Sequence, residues 1–140
     1  MMRRPRALFL DLDNTLVDRQ AALRSYLRDW LGRHVPEADA QTLLEEAVRV
    51  DDWGYTRRED FHRWWCARVA VHGARISPQE FWEDFRTHLA DHVRPIPGLQ
   101  EVLEELATHH ELVLVSNGGG PNQRAKLAAC AELPRQLRLR

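Results

Sequence analysis

The sequence predicts an α/β protein: a parallel-sheet core whose chain is interrupted by an inserted helical segment. Three observations predict it. Two short apolar runs, ALFL at residues 7–10 and ELVLVS at 111–116, lie near opposite ends of the 140-residue chain. The stretch between them repeats apolar residues at the three- and four-residue spacings of helices. Of eleven aromatic residues, ten fall between Asp18 and Arg94, so that stretch carries a hydrophobic cluster of its own.

ALFL is a continuous apolar run, the pattern of a strand buried on both faces of a parallel sheet. Leu23, Tyr26, Leu27, Trp30 and Leu31 then form one apolar helix face. The T-R-R-E of residues 56–59 matches a capping box ahead of Phe61, Trp64, Trp65 and Val69, and predicts a helix start there. S-P-Q-E at 77–80 repeats the signal. Its Pro78 takes the first helical position, where a fixed φ costs nothing, and Phe81, Trp82, Phe85 and Leu89 supply the stripe. R-P-I-P-G at 94–98 reads as the return linker, followed by an amphipathic helix on Leu99, Val102, Leu103 and Leu106. The β-branched ELVLVS is the second strand. The core is therefore assigned to residues 1–17 and 95–140, and the helical insertion to 18–94. The tail, AELPRQLRLR, contains Pro134 and alternates Arg with Leu, without the β-branched run of a third buried strand. A sheet of two parallel strands with open edges is expected, prone to self-association through a free edge.

Lys plus Arg total 20 against 21 Asp plus Glu, for a net charge of -1. No basic field argues for nucleic acid or an anionic membrane. Cys66 and Cys130 lack CxxC spacing and suit a reducing compartment, so a cytoplasmic setting is expected. The basic MMRRPR start precedes an apolar run that Asp11 cuts after four residues, too short for a signal-peptide core or a membrane span.

The chemistry concentrates where the strands end. Asp11 and Asp13 are two residues apart, so on an extended strand their carboxylates share a side and converge at its carboxyl end, where open α/β sheets place ligands. Other readings stand beside joint chemistry. Asp13 and Asn14 suit a turn, and an EF-hand loop would need glycine at its sixth position, where Leu16 stands. After the second strand, Ser116, Asn117, Gly118, Gly119 and Gly120 offer a hydroxyl and a backbone suited to surrounding an anion, with Pro121 opening a helix; an ordinary glycine loop is the other reading.

The D-L-D-N-T-L-V of residues 11–17 resembles the first motif of the haloacid dehalogenase-like (HAD-like) hydrolase superfamily, and V-S-N-G at 115–118 resembles its second. A helical insertion between the motifs, then P-x-P-G and an amphipathic helix, is similar to members with a small helical cap. The resemblance spans nearly the whole chain; the first motif is specific, the second only in combination. It implies a HAD-like Rossmannoid parallel-sheet core with an inserted helical cap, and a magnesium-dependent phosphatase acting on small organic phosphate monoesters. Asp11 is implied as the nucleophile that forms an aspartyl-phosphate, and Asp13 as the group that protonates the leaving oxygen and then activates water. Mg2+ is implied on the Asp11 carboxylate and the Asp13 backbone carbonyl, and Ser116 with the backbone around Asn117 and Gly118 is implied to hold the phosphoryl oxygens. The family's dehalogenases lack an acid at the place of Asp13, which favours phosphate ester hydrolysis.

The family pattern also includes a charge-neutralising Lys or Arg and a last acidic motif, for which this sequence offers no counterpart at the expected place, as in a core truncated at its C-terminus. Arg124 and Lys126 fall in the helix directly behind the second motif, where Lys126 reads as a solvated helix residue, with a substitute for the missing cation as the lesser reading and Arg124 no better placed. The departure raises an alternative: a catalytically inactive fragment or interaction subunit. Asp84, His88 and His92 share a helix face with spacing acceptable to a metal, but read as a solvated surface. His109 and His110 read as meeting a helix C-terminus. Trp64 and Trp65 read as core, and Trp53, Gly54 and Tyr55, between helices, as the better specificity candidates.

Overall fold

The computed structural model describes residues 6–117, 120–130 and 137–139. In chain order they form β1 (Arg6–Leu10), α1 (Arg19–His34), α2 (Ala40–Asp51), α3 (Arg58–Ala70), α4 (Pro78–His88), α5 (Leu99–Ala107), β2 (His110–Leu114), α6 (Gly120–Ala129) and β3 (Arg138–Leu139). Short 3-10 turns lie at Asp52–Gly54 and Leu89–His92. The chain divides between residues 19 and 20, and again between 92 and 93, into two compact units.

The first unit is an α/β layer built on a parallel sheet ordered β1-β2-β3. Leu8, Phe9 and Leu10 stand opposite Leu112, Val113 and Leu114. In β2, Leu112, Val113 and Leu114 are buried, and Leu103 of α5 is buried in the same unit. Sequence and structure differ here in two ways. β1 is not buried on both faces: Phe9 is 71% exposed, because β1 is an edge strand and its alternate residues Ala7 and Phe9 face away from the covered side. The tail does contribute a third strand, with Arg138 opposite Val113 and Leu139 opposite Leu114. A two-residue pairing needs only the backbone donors and acceptors on the free side of β2, which composition does not report.

The second unit is all-helical. One stripe of α1, comprising Leu23, Tyr26, Leu27, Trp30 and Leu31, meets Leu43, Leu44 and Ala47 of α2, Phe61, Trp65 and Val69 of α3, and Phe81 and Phe85 of α4 in one apolar cluster. Trp30 packs edge-on against Trp65 at 5.7 Å and Phe81 at 5.8 Å, the favoured geometry for aromatic quadrupoles. The Tyr26 hydroxyl donates to Asp84 Oδ2 at 2.6 Å. Burial and then that carboxylate push the Tyr26 phenol up; burial opposes ionisation of Asp84, but hydrogen bonds from Tyr26 and Arg33 hold its carboxyl below the ordinary range.

The two capping signals diverge. At Ser77 the full reciprocal box forms, with Pro78 opening α4. At Thr56 it does not: its hydroxyl donates to the Val50 carbonyl behind it, and α3 starts one residue late, from an Arg57 that gives no side-chain cap. Trp53 and Tyr55 are 56% and 84% exposed, and Asp52 and Trp53 both have positive φ, so the link between α2 and α3 holds its aromatics outward.

This core sets two expectations. Trp65→Ala should destabilise the chain by about 3–5 kcal/mol, read from denaturant midpoints of the helical circular dichroism, and residues 18–94 expressed alone should keep that signal. A midpoint unmoved by the substitution would contradict the packing. The second expectation concerns pH. His62, 4% exposed among Phe81, Trp82 and Phe85, is lowered by burial and then by Arg58 from 6.5 to about 4. The unfolded chain therefore binds that proton first, so stability is full above pH 6.5 and declines as pH falls toward about 4. His34, lowered by burial and then by Arg33, adds to the same slope. Denaturant midpoints at neutral pH and near pH 5 should show the decline, and His62→Phe should shrink it.

Candidate functional site

β1 ends at Leu10, so the paired acids lie in the loop behind it and not in the strand. Leu12 is fully buried, and its carbonyl accepts from the N–H groups of Thr15, Leu16 and Val17, which winds residues 12–17 into a tight turn. Asn14 occupies the left-handed region at φ 62°, a conformation Asn tolerates better than most residues. Asn14 N–H donates to Val17 O, and Ile96 N–H to Leu16 O, so the turn is anchored to the return linker. With Leu12 turned inward, Asp11 is exposed and Asp13 half-buried. Among the described residues Asp11 makes no side-chain hydrogen bond or ion pair, which leaves its carboxylate accessible.

Asp13 is held by two side chains of α6, and the strand pairing sets Ser116 near its loop. Val115 N–H donates to Leu10 O at 2.8 Å, extending the β1–β2 pairing to the loops and bringing Ser116 alongside the acid loop. Gln123 of α6, only 2% exposed, donates from Nε2 to Asp13 Oδ2 at 3.2 Å and also to Ser116 Oγ. Lys126 Nζ lies 2.8 Å from Asp13 Oδ1 and 3.0 Å from Oδ2, with its side chain 12% exposed. Asp13 and Ser116 are thus brought together, Asn117 is exposed beside them, and Gly118 lies outside the described residues.

Lys126 is therefore not a solvated helix residue. α6 directs its face toward the strand ends, and Gln123 and Lys126, three residues apart, share that face. Gln123 carried no signal in its own residue type; the available one was its i, i+3 relation to the Lys on a helix that starts where β2 stops. In the helical unit, His88 Nε2 lies 3.7 Å from Asp84 Oδ1, but His92 does not join them. Asp84 takes the Tyr26 hydroxyl and Arg33, while His92 bonds Ser25 Oγ at 2.7 Å. No group of three metal-ligating side chains occurs among the described residues.

The fit to magnesium rests on donor chemistry. The turn uses the carbonyls of Leu12 and Val17, while no described residue donates to that of Asp13. An accessible carboxylate and an unused carbonyl make an all-oxygen pair, suited to a hard cation that keeps several waters and takes its other ligands from a substrate.

The family model of haloacid dehalogenase-like hydrolases matches residues 8–133. Among solved structures, the chain is similar to the HAD-hydrolase YfnB from Bacillus subtilis bound to magnesium, at 21% identity and a TM-score of 0.65, covering 98% of this chain and 65% of that one. It is similar to L-2-haloacid dehalogenase from Xanthobacter autotrophicus with chloropropionic acid covalently bound, at 18% identity and a TM-score of 0.57, covering 97% and 56%. A HAD family hydrolase from Deinococcus radiodurans R1 with bound phosphate and sodium gives 20% identity, a TM-score of 0.56, and coverage of 94% and 56%. The chain thus spans between 56% and 65% of the length of these three proteins. No curated protein sequence matches it.

Proposed function

This chain belongs to the haloacid dehalogenase-like hydrolase family, and we propose that it is a magnesium-dependent phosphatase acting on small organic phosphate monoesters through an aspartyl-phosphate on Asp11. The observation that carries this reading is an accessible carboxylate, Asp11, two residues from a second acid, Asp13, that Gln123 links to Ser116 beyond the ends of adjacent parallel strands. A halide leaves without a proton, whereas an alkoxide is a poor leaving group. A second acid beside the nucleophile therefore favours ester hydrolysis over dehalogenation.

In the first step an Asp11 carboxylate oxygen bonds to phosphorus, the ester P–O bond breaks, and protonated Asp13 gives its proton to the departing oxygen. In the second, the Asp13 carboxylate takes a proton from water, whose oxygen bonds to phosphorus as the Asp11 acyl-phosphate bond breaks. Phosphate departs and Asp11 is restored. Ser116 and the backbone around Asn117 and Gly118 orient the phosphoryl oxygens. The Asp11 carboxylate and the Asp13 carbonyl would hold magnesium, which would supply positive charge where an anionic nucleophile meets an anionic phosphate.

The remaining attributes of the proposal are a cytoplasmic setting, supported by the two buried thiols, and partners limited to the phosphate substrate and a second copy of the chain through the β1 edge. Burial pushes the Cys66 thiol up to about 11, the behaviour of an inert structural cysteine. Among the described residues no helix is long and apolar enough to cross a membrane.

The test is hydrolysis of aryl, sugar and nucleotide phosphates by the purified chain with and without millimolar magnesium. Asp11→Asn should abolish turnover, because an amide is not a competent nucleophile. Asp13→Asn should lower it about a hundredfold or more, with the larger loss on alkyl esters that need protonation. Turnover that survives Asp11→Asn, or a wild-type chain that hydrolyses none of the panel, would sink the reading and leave the inactive interaction subunit. Chelation of magnesium should likewise stop turnover.

A further inference from the structure

Two side chains of α6 remain without a role in that scheme, although both reach the acid. Gln123 is buried, and its amide nitrogen joins Asp13 Oδ2 to Ser116 Oγ; Lys126 Nζ spans both oxygens of the same carboxylate at 2.8 and 3.0 Å. From these contacts we infer that Gln123 and Lys126 are the positioning pair of Asp13, fixing its carboxylate in the orientation that draws a proton from water when phosphorylated Asp11 is hydrolysed. The inference rests on the phosphatase reading above.

The geometry carries it in three parts. A lone aspartate in a loop rotates about two side-chain bonds; three contacts to its two oxygens fix the carboxylate plane. The contacts come from one rigid face of α6, with Gln123 and Lys126 three residues apart, so the helix and not the loop sets the orientation. Both partners are donors only at these atoms. They match a carboxylate that accepts, which is the form required for taking a proton from water. Gln123 adds a second function: by bonding Ser116 as well, it ties the base to the group that orients the phosphoryl oxygens, so the water's target and its base stay in register. Misplacement of a reacting group by about 1 Å commonly costs a hundredfold in rate.

The test separates this role from general damage. Aryl phosphates have leaving groups that need little protonation, so formation of the acyl phosphate barely uses Asp13 and its hydrolysis limits turnover. Gln123→Met, which keeps the length and removes the amide, and Lys126→Gln, which removes the charge, should each lower kcat on an aryl phosphate about 10- to 100-fold. KM should fall in parallel, leaving kcat/KM within about twofold, as expected when only the second step is slowed. Lys126→Arg should recover most of the loss, since a guanidinium also spans two carboxylate oxygens. Should Gln123→Met fail to fold by circular dichroism, the partly solvent-facing Lys126→Gln decides alone. Unchanged kcat in a folded variant, or equal losses in kcat and kcat/KM, would overturn the inference while the Asp11→Asn result still supports the phosphatase. Wild-type turnover that is absent or independent of Asp11 would overturn both.

Discussion

Parallel pairing of β1 with β2 is the contact on which the site depends. Asp13 and Ser116 are remote in sequence, and nothing local relates them. Leu10 opposite Leu114, extended by the Val115-to-Leu10 hydrogen bond, sets the register that ends both strands at one level. A one-residue slip would move each β2 side chain to the opposite face of the sheet and would carry Ser116 away from Gln123. Helices α5 and α6 then bracket β2 in sequence, and the second of them starts where a ligand site in an open α/β sheet is expected.

The same register explains which part of the site was legible. Asp11, Asp13 and Ser116 announced themselves because polar residues at the carboxyl ends of apolar strands have few structural reasons to be there. Lys126 did not, since a lysine in an amphipathic helix is ordinarily solvated and only the direction of α6 turns it onto Asp13. Gln123 was silent for a related reason: an amide becomes informative only once its two partners are placed. The strands show the limit of composition from the other side. Apolar content predicted a doubly buried β1, yet edge position leaves Phe9 largely exposed, and the Arg-Leu tail still supplies β3 through its backbone.

In the helical unit, pattern and packing agree more closely because its stabilising contacts are between side chains. The stripe of α1 and the box at Ser77 form as their spacing dictates, while Thr56 is diverted by a nearer carbonyl at Val50. Such competition between a cap and a turn is local, but its outcome depends on how α2 ends, which the four-residue motif does not encode. The link at Asp52, Trp53 and Gly54, left-handed at three successive residues, is the clearest departure of this unit from regular backbone.

The chemical claim on which everything else rests is that phosphorus becomes bonded to Asp11. Borohydride reduction during turnover of an aryl phosphate, followed by peptide mapping, tests it most directly, since an acyl phosphate is reduced while a free carboxylate is not. The account predicts a reduced side chain at Asp11 and at no other acid, dependent on both substrate and magnesium. Reduction at another residue, or turnover with none at Asp11, would contradict it.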